Sequence, residues 1–119
     1  MSNKNNISLQ VCGENFKIYF SRHAVLERCI ERGVSQFAIA SLVVALGEEL
    51  LNLKSSECKE FAIFDDVLKE GAVCSMGYCL DEDCYEIDVI TVLKTDNVWV
   101  KRGAKVLKLE NITSRIDFN

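Results

Sequence analysis

The chain has no proline, a single histidine, a single tryptophan and six glycines among its 119 residues. Without proline, no helix or strand meets a built-in breaker, so element ends are sought at Gly, Ser and Asn. One imidazole, His23, limits acid–base chemistry to one histidine; a second proton transfer falls to Arg, Lys or Glu. Long apolar runs are missing too. The longest, Phe37 to Leu46, is interrupted by Ser41 and stops at Gly47, short of the ~20 residues that span a bilayer. Met1 to Asn6 lacks the apolar core of a secretory signal, which predicts a cytoplasmic protein with no membrane partner. Repeats and Ser/Gly linkers are absent, so one domain over residues 1–119 is expected, with loosely ordered tails at 1–6 and 110–119.

Bases are fewer than acids: 14 Lys and Arg against 18 Asp and Glu, for a net charge of −4. That balance counts against general nucleic-acid binding, which needs a basic footprint. The charge is segregated, however. Asp81 to Asp88 holds five acids and no base, whereas Lys94 to Lys108 holds five bases against Asp96 alone. A chain divided in this way can hold a polyanion on one side and remain acidic overall.

The six cysteines stand at positions 12, 29, 58, 74, 79 and 84, with no C-x2-C pair. This spacing does not match a zinc knuckle, and a reducing compartment disfavours a disulfide framework. The expectation is therefore packed thiols, with no metal and no cofactor. If Cys74 and Cys79 share a strand, their odd spacing turns them to opposite faces.

Apolar, β-prone runs at Ile7 to Val11 and Phe16 to Phe20 flank a Gly- and Asn-containing loop, Cys12 to Asn15, which suggests a hairpin. Ser21 is placed to cap a helix from Arg22 to Arg32 that ends at Gly33, with Val25, Leu26, Cys29 and Ile30 as its apolar stripe. Ser35 can cap a second helix to about Leu46, apolar around much of its circumference and so expected to be well buried. Strands are expected at Glu60 to Phe64, Ala72 to Leu80, Tyr85 to Leu93, Asn97 to Lys101 and Val106 to Leu109. Tyr85, Ile87, Val89, Thr91 and Leu93 would share one face. The fold class expected is α+β: two N-terminal helices packed on a mainly antiparallel sheet of four to six strands.

The segment Phe20 to Ser35 carries the most chemical information. A helix start sets His23 at the positive end of the helix dipole, which favours the neutral imidazole of a general base. Arg28 and Arg32, four residues apart, share a ridge suited to clamping a phosphate. They can equally pair with Glu27, Glu31 or Glu48 on a solvated face. At ~100° per residue, Arg28 stands ~140° and Arg32 ~180° around the helix from His23.

Ser21-x-His23-Ala24, followed by Glu27-Arg28-x-x-Glu31-Arg32-Gly33-Val34-Ser35, resembles a signature of the RelE/ParE-type toxin superfamily. It is also similar to the corresponding helix of the phage endoribonuclease RegB and of BrnT-type toxins. Val89-Ile90-Thr91-Val92 is similar to the I-T-V motif on a late strand of these proteins. The resemblance implies a RelE-like ribonuclease fold that needs no metal and cleaves RNA by attack of the ribose 2′-OH on the adjacent phosphate. It implies His23 as acid or base, Arg28 and Arg32 as phosphate-stabilising groups, and Thr91 lining the site. From composition, Lys94, Lys101 and Arg102 are further candidates for contact with the RNA backbone.

The leading expectation is thus a small endoribonuclease of toxin–antitoxin or phage RNA-processing type. Its partners would be RNA and a protein such as a cognate antitoxin, a toxin or the ribosome. The alternative is a non-catalytic, acidic binding protein on the same scaffold, an immunity protein, antitoxin or inhibitor that masks a basic surface.

Overall fold

The computed structural model describes residues 5–20, 23–53, 60–96 and 105–109. Chain order begins with strands β1 (Asn5–Val11) and β2 (Glu14–Phe20), then helices α1 (His23–Arg32), α2 (Gln36–Ala45) and α3 (Gly47–Leu53). Strands β3 (Glu60–Asp65), β4 (Glu70–Cys79), β5 (Cys84–Lys94) and β6 (Lys105–Leu109) follow. All six strands join one sheet in the order β1-β2-β5-β4-β3-β6.

Local chemistry sets most boundaries. Cys12 and Gly13 take φ of 52° and 82°, which turns β1 into β2 within two residues. At the end of α1, Gly33 takes φ of 68°. The Gly33 N–H then donates to the Ile30 carbonyl and the Val34 N–H to the Cys29 carbonyl, the paired bonds of a Schellman stop. Ser35 caps α2, its hydroxyl accepting from the Ala38 N–H at 2.9 Å. Between β3 and β4, the buried Asp65 carboxylate accepts from the Val67 and Leu68 N–H groups at 2.9 and 3.0 Å and closes the turn.

The helices cover one face of the sheet, which we term the inner face. α1 lies against β5 and β2, and α2 against β1, β3 and β4. Between them and the sheet sit Phe16, Ile18 and Phe20 of β2, Ile87, Val89 and Val92 of β5, and Phe61 and Ile63 of β3. Val25, Ile39, Val43 and Leu50 meet them from the helices. Alternation along each strand turns the intervening residues to the opposite, outer face.

This architecture corrects the expected fold. Three helices, not two, follow a β-hairpin, so they lie between strands and not at the N-terminus. The sheet is mixed: β2 pairs with β5, and β3 with β6, in parallel. The reason is connectivity. Three helices between β2 and β3 carry the chain far enough to re-enter the sheet away from β2, leaving β5 to pair beside it. The arrangement expected for a RelE-like fold is overturned by the same observations.

Smaller expectations also change. The second helix ends where expected, at Ala45 with Leu46 as its cap, but Gly47 then opens a third helix, and a Cβ there would stand 2.2 Å from Val11 Cγ1. Glycine is what lets the start of α3 lie directly on β1. α2 and α3 meet at 76°, and no described helix is long and apolar enough to cross a membrane. α2 buries Ile39, Ala40, Leu42 and Val43 but leaves Phe37 75% exposed, so its apolar circumference is only partly covered.

Register overturns one face assignment. Cys74 pairs with Val89 and Val73 with Thr91, which leaves Ile90 as an extra residue in β5. This β-bulge reverses the alternation, so Val89 and Val92 both enter the core while Thr91 turns to the outer face. β1 begins at Asn5, within the segment expected as a tail. Ser21, the strand expected at Asn97 to Lys101, and the 110–119 tail lie outside the described residues.

Candidate functional site on the outer face of the sheet

β2 alternates Phe16, Ile18 and Phe20 inward with Lys17 and Tyr19 outward. The register then builds rows across the outer face. One row runs Asn6, Tyr19, Asp88, Ser75, Glu60, through four pairings over five strands. The next runs Ser8, Lys17, Glu86, Gly77. At its end, the loop Leu80 to Asp83 joins β4 to β5, with Cys79 paired to Cys84. Asp81, Glu82, Asp83 and Asp88 are exposed, and Glu86 and Glu60 are half-buried. Among the described residues of these two rows, Lys17 is the single base.

The electrostatics follow from that crowding. Lys17 Nζ meets Glu82 Oε1 at 2.6 Å, across 65 residues of sequence. This hydrogen bond holds the Glu82 carboxyl below the ordinary carboxylate range and the Lys17 ammonium above its own. Tyr19 donates its hydroxyl to Glu86 at 3.3 Å, and its phenol is pushed up by burial first and by Glu86 second. Cys84 is also pushed up, by burial and then by Glu82, whose carboxylate accepts from its thiol at 3.8 Å. Tyr78 donates to Asp83 at the hairpin tip. A groove of about 480 Å³ runs beside this cluster, with Ser8, Gln10, Asn15, Lys17, Glu82 and Cys84 on its walls.

The residues expected to form a ribonuclease site are distributed differently. His23 opens α1, and its side chain lies outside the described residues. Arg28 is exposed on α1. Arg32 donates to the backbone carbonyl of Val92. The geometry explains why: β2 pairs with β5 only as far as Asp88, and the arginine at the end of α1 satisfies a carbonyl on the strand beyond. Thr91 stands on the outer face, across the sheet from α1. Lys94 Nζ pairs with Glu70 at 3.3 Å and donates to the Leu68 carbonyl at 3.2 Å, at the far end of β5 from the acidic hairpin. Lys101 and Arg102 lie outside the described residues. The structure therefore places Arg28 and Arg32 together on α1 and does not bring Thr91 or Lys94 to them.

Of the cysteines, Cys29, Cys74 and Cys84 are buried, Cys79 is half-buried and Cys12 is exposed, while Cys58 lies outside the described residues. Burial pushes the Cys74 thiol far up. Cys74 and Cys79 do occupy opposite faces of β4. Lys17, Tyr19 and Glu60 were not marked in the sequence as part of any site. Alternation marks Lys17 and Tyr19 as outward, but only the register reveals their acidic neighbours. No family model, no curated protein and no solved structure matches the chain.

Proposed function

We propose that the protein is a non-catalytic binding module whose acidic outer face engages a basic protein surface. One observation carries the reading. Glu60, Glu86 and Asp88 of the outer rows, with Glu82 joined to them through Lys17, share one side of the sheet, and Lys17 is the single base of those rows. Asp81 and Asp83 add exposed acids at the tip of the same hairpin. A face of one sign attracts a partner of opposite sign, speeds encounter and rejects polyanions such as RNA. The inner face is occupied by helices, and on the outer face Ala62 and Phe64 of β3 are buried, which leaves the hairpin end, with its exposed acids, for recognition. An inhibitor or immunity protein covering a cationic enzyme surface is the kind of role this fits.

The rival is the endoribonuclease. In that reading Arg32 would bind phosphate, whereas here its guanidinium is engaged by the Val92 carbonyl. The test has two arms. Defined RNA is incubated with the wild-type protein in EDTA, beside His23→Ala and Arg28→Ala. A Lys-rich peptide is titrated separately into wild type and an Asp81→Asn/Asp83→Asn/Asp88→Asn variant. The expected result is no RNA cleavage, and salt-sensitive peptide binding that the triple variant weakens by about tenfold or more. RNA cleavage lost in His23→Ala, or peptide binding indifferent to the three acids, overturns the proposal.

A further inference from the structure

Cys79, Glu82 and Glu86 each offer one ligand atom, and these three atoms lie within 4.8 Å of one another. Hairpin geometry brings them there. Cys79 closes β4, Glu82 sits in the four-residue loop, and Glu86 lies two residues past Cys84, the cross-strand partner of Cys79, on the same outer face. We propose that these three side chains form a binding site for a divalent metal ion of intermediate softness, with Zn²⁺ the best fit, leaving a fourth position open to solvent or an incoming ligand.

The donor set selects the class of ion. One thiolate with two carboxylates suits Zn²⁺, which takes sulfur at ~2.3 Å and oxygen at ~2.0–2.2 Å in a tetrahedron. Those bond lengths put ligand atoms roughly 3–4 Å apart, against the present spacing within 4.8 Å. Ca²⁺ and Mg²⁺ favour all-oxygen shells of six or more ligands, which a single thiol and two carboxylates do not provide. The Tyr19 hydroxyl donates to Glu86 at 3.3 Å and orients its carboxylate. On binding, the Cys79 S–H gives its proton to solvent and the sulfur lone pair goes to the metal.

Lys17 makes the proposal specific. Its ammonium stands 2.6 Å from Glu82 Oε1, the same residue that a metal would claim. Metal and lysine therefore compete for one carboxylate, and binding releases Lys17 from its partner. Glu82 and Glu86 also belong to the acidic face proposed for protein binding, but Asp81, Asp83 and Asp88, the acids neutralised to test that role, are not ligands, so either proposal can fail alone.

Co²⁺ alone, titrated into the reduced full-length chain, serves as the spectroscopic probe, with Zn²⁺ as the competitor. The expected result is one equivalent bound with a near-ultraviolet thiolate-to-metal absorption band that Zn²⁺ abolishes. Cys79→Ser removes the band, Glu86→Gln weakens affinity by roughly 10–100-fold, and Cys12→Ser, which alters an exposed thiol elsewhere, leaves both unchanged. Lys17→Met raises affinity several-fold, a gain that a misfolded variant does not produce. Absence of the band, its persistence in Cys79→Ser, its loss in Cys12→Ser, or no gain in Lys17→Met each overturns the assignment.

Discussion

The two faces of the sheet are made from the same strands, yet they do opposite things. Inward residues of β2, β3 and β5 are Phe, Ile and Val packed to near-zero exposure under three helices. Their outward neighbours at the hairpin end are Lys17, Tyr19, Glu86, Asp88 and Glu60, where Tyr19 donates to Glu86 and Lys17 pairs with Glu82. A single strand thus supplies a packed core on one side and a charged surface on the other. The period of two along the chain is what keeps these roles from interfering.

Substitutions that separate the faces test that division, and the largest effect belongs inside. Phe61→Ala removes an inward ring that is 1% exposed and is expected to cost ~3–5 kcal/mol in denaturant unfolding. Ser75→Ala, on the outer row between Glu60 and Asp88, should fall within ~0.5 kcal/mol. An equal loss at both positions breaks the comparison.

Next comes the joint between helix layer and sheet edge. Arg32→Met leaves the Val92 carbonyl without its guanidinium donor and is expected to cost ~1–2 kcal/mol. Unchanged stability would free Arg32 for a ligand and revive the phosphate-binding role.

Thiol labelling followed peptide by peptide reads the comparison without mutation. Cys12 is exposed and should label first, while Cys74, fully buried with its thiol pushed far up, should wait for global unfolding. Early labelling of Cys74 would mean that the inner layer opens locally.

The smallest effect lies in the ion pair. Lys17→Met should return the Glu82 carboxyl upward to the ordinary range, as followed by NMR titration. The lowered Glu82 pKa means that the pair's contribution is present above the unfolded carboxyl value of ~4.3. It is lost as pH falls through the lower folded value. Lys17, whose pKa is raised, contributes below its unfolded value of ~10.4 and loses that contribution as pH rises through the folded one.

Local signals made much of the fold readable in advance. Alternating apolar residues located the hairpin strands, and Gly33 and Ser35 marked the break between α1 and α2 through a positive φ and a hydroxyl cap. What stayed hidden depended on partners distant in sequence. The third helix opening at Gly47 had no local mark, because the value of that glycine lies in its closeness to Val11, 36 positions earlier. The bulge at Ile90 exists only in relation to Val73 and Cys74 of the neighbouring strand. Parallel pairing of β2 with β5 likewise has no local mark. The same divide applies to the site. The acids of Asp81 to Asp88 stood out as a run, whereas Lys17 and Glu60 joined them only through register. Cys79, Glu82 and Glu86 escaped notice because the spacing C-x2-E-x3-E becomes a cluster only once folded over a four-residue loop.

The most direct measurement is calorimetric titration of a Lys-rich peptide into wild type and into the Asp81→Asn/Asp83→Asn/Asp88→Asn variant at two ionic strengths. The account predicts binding that weakens with salt and falls about tenfold or more in the variant, with unfolding stability unchanged. Equal binding by the two proteins would contradict it.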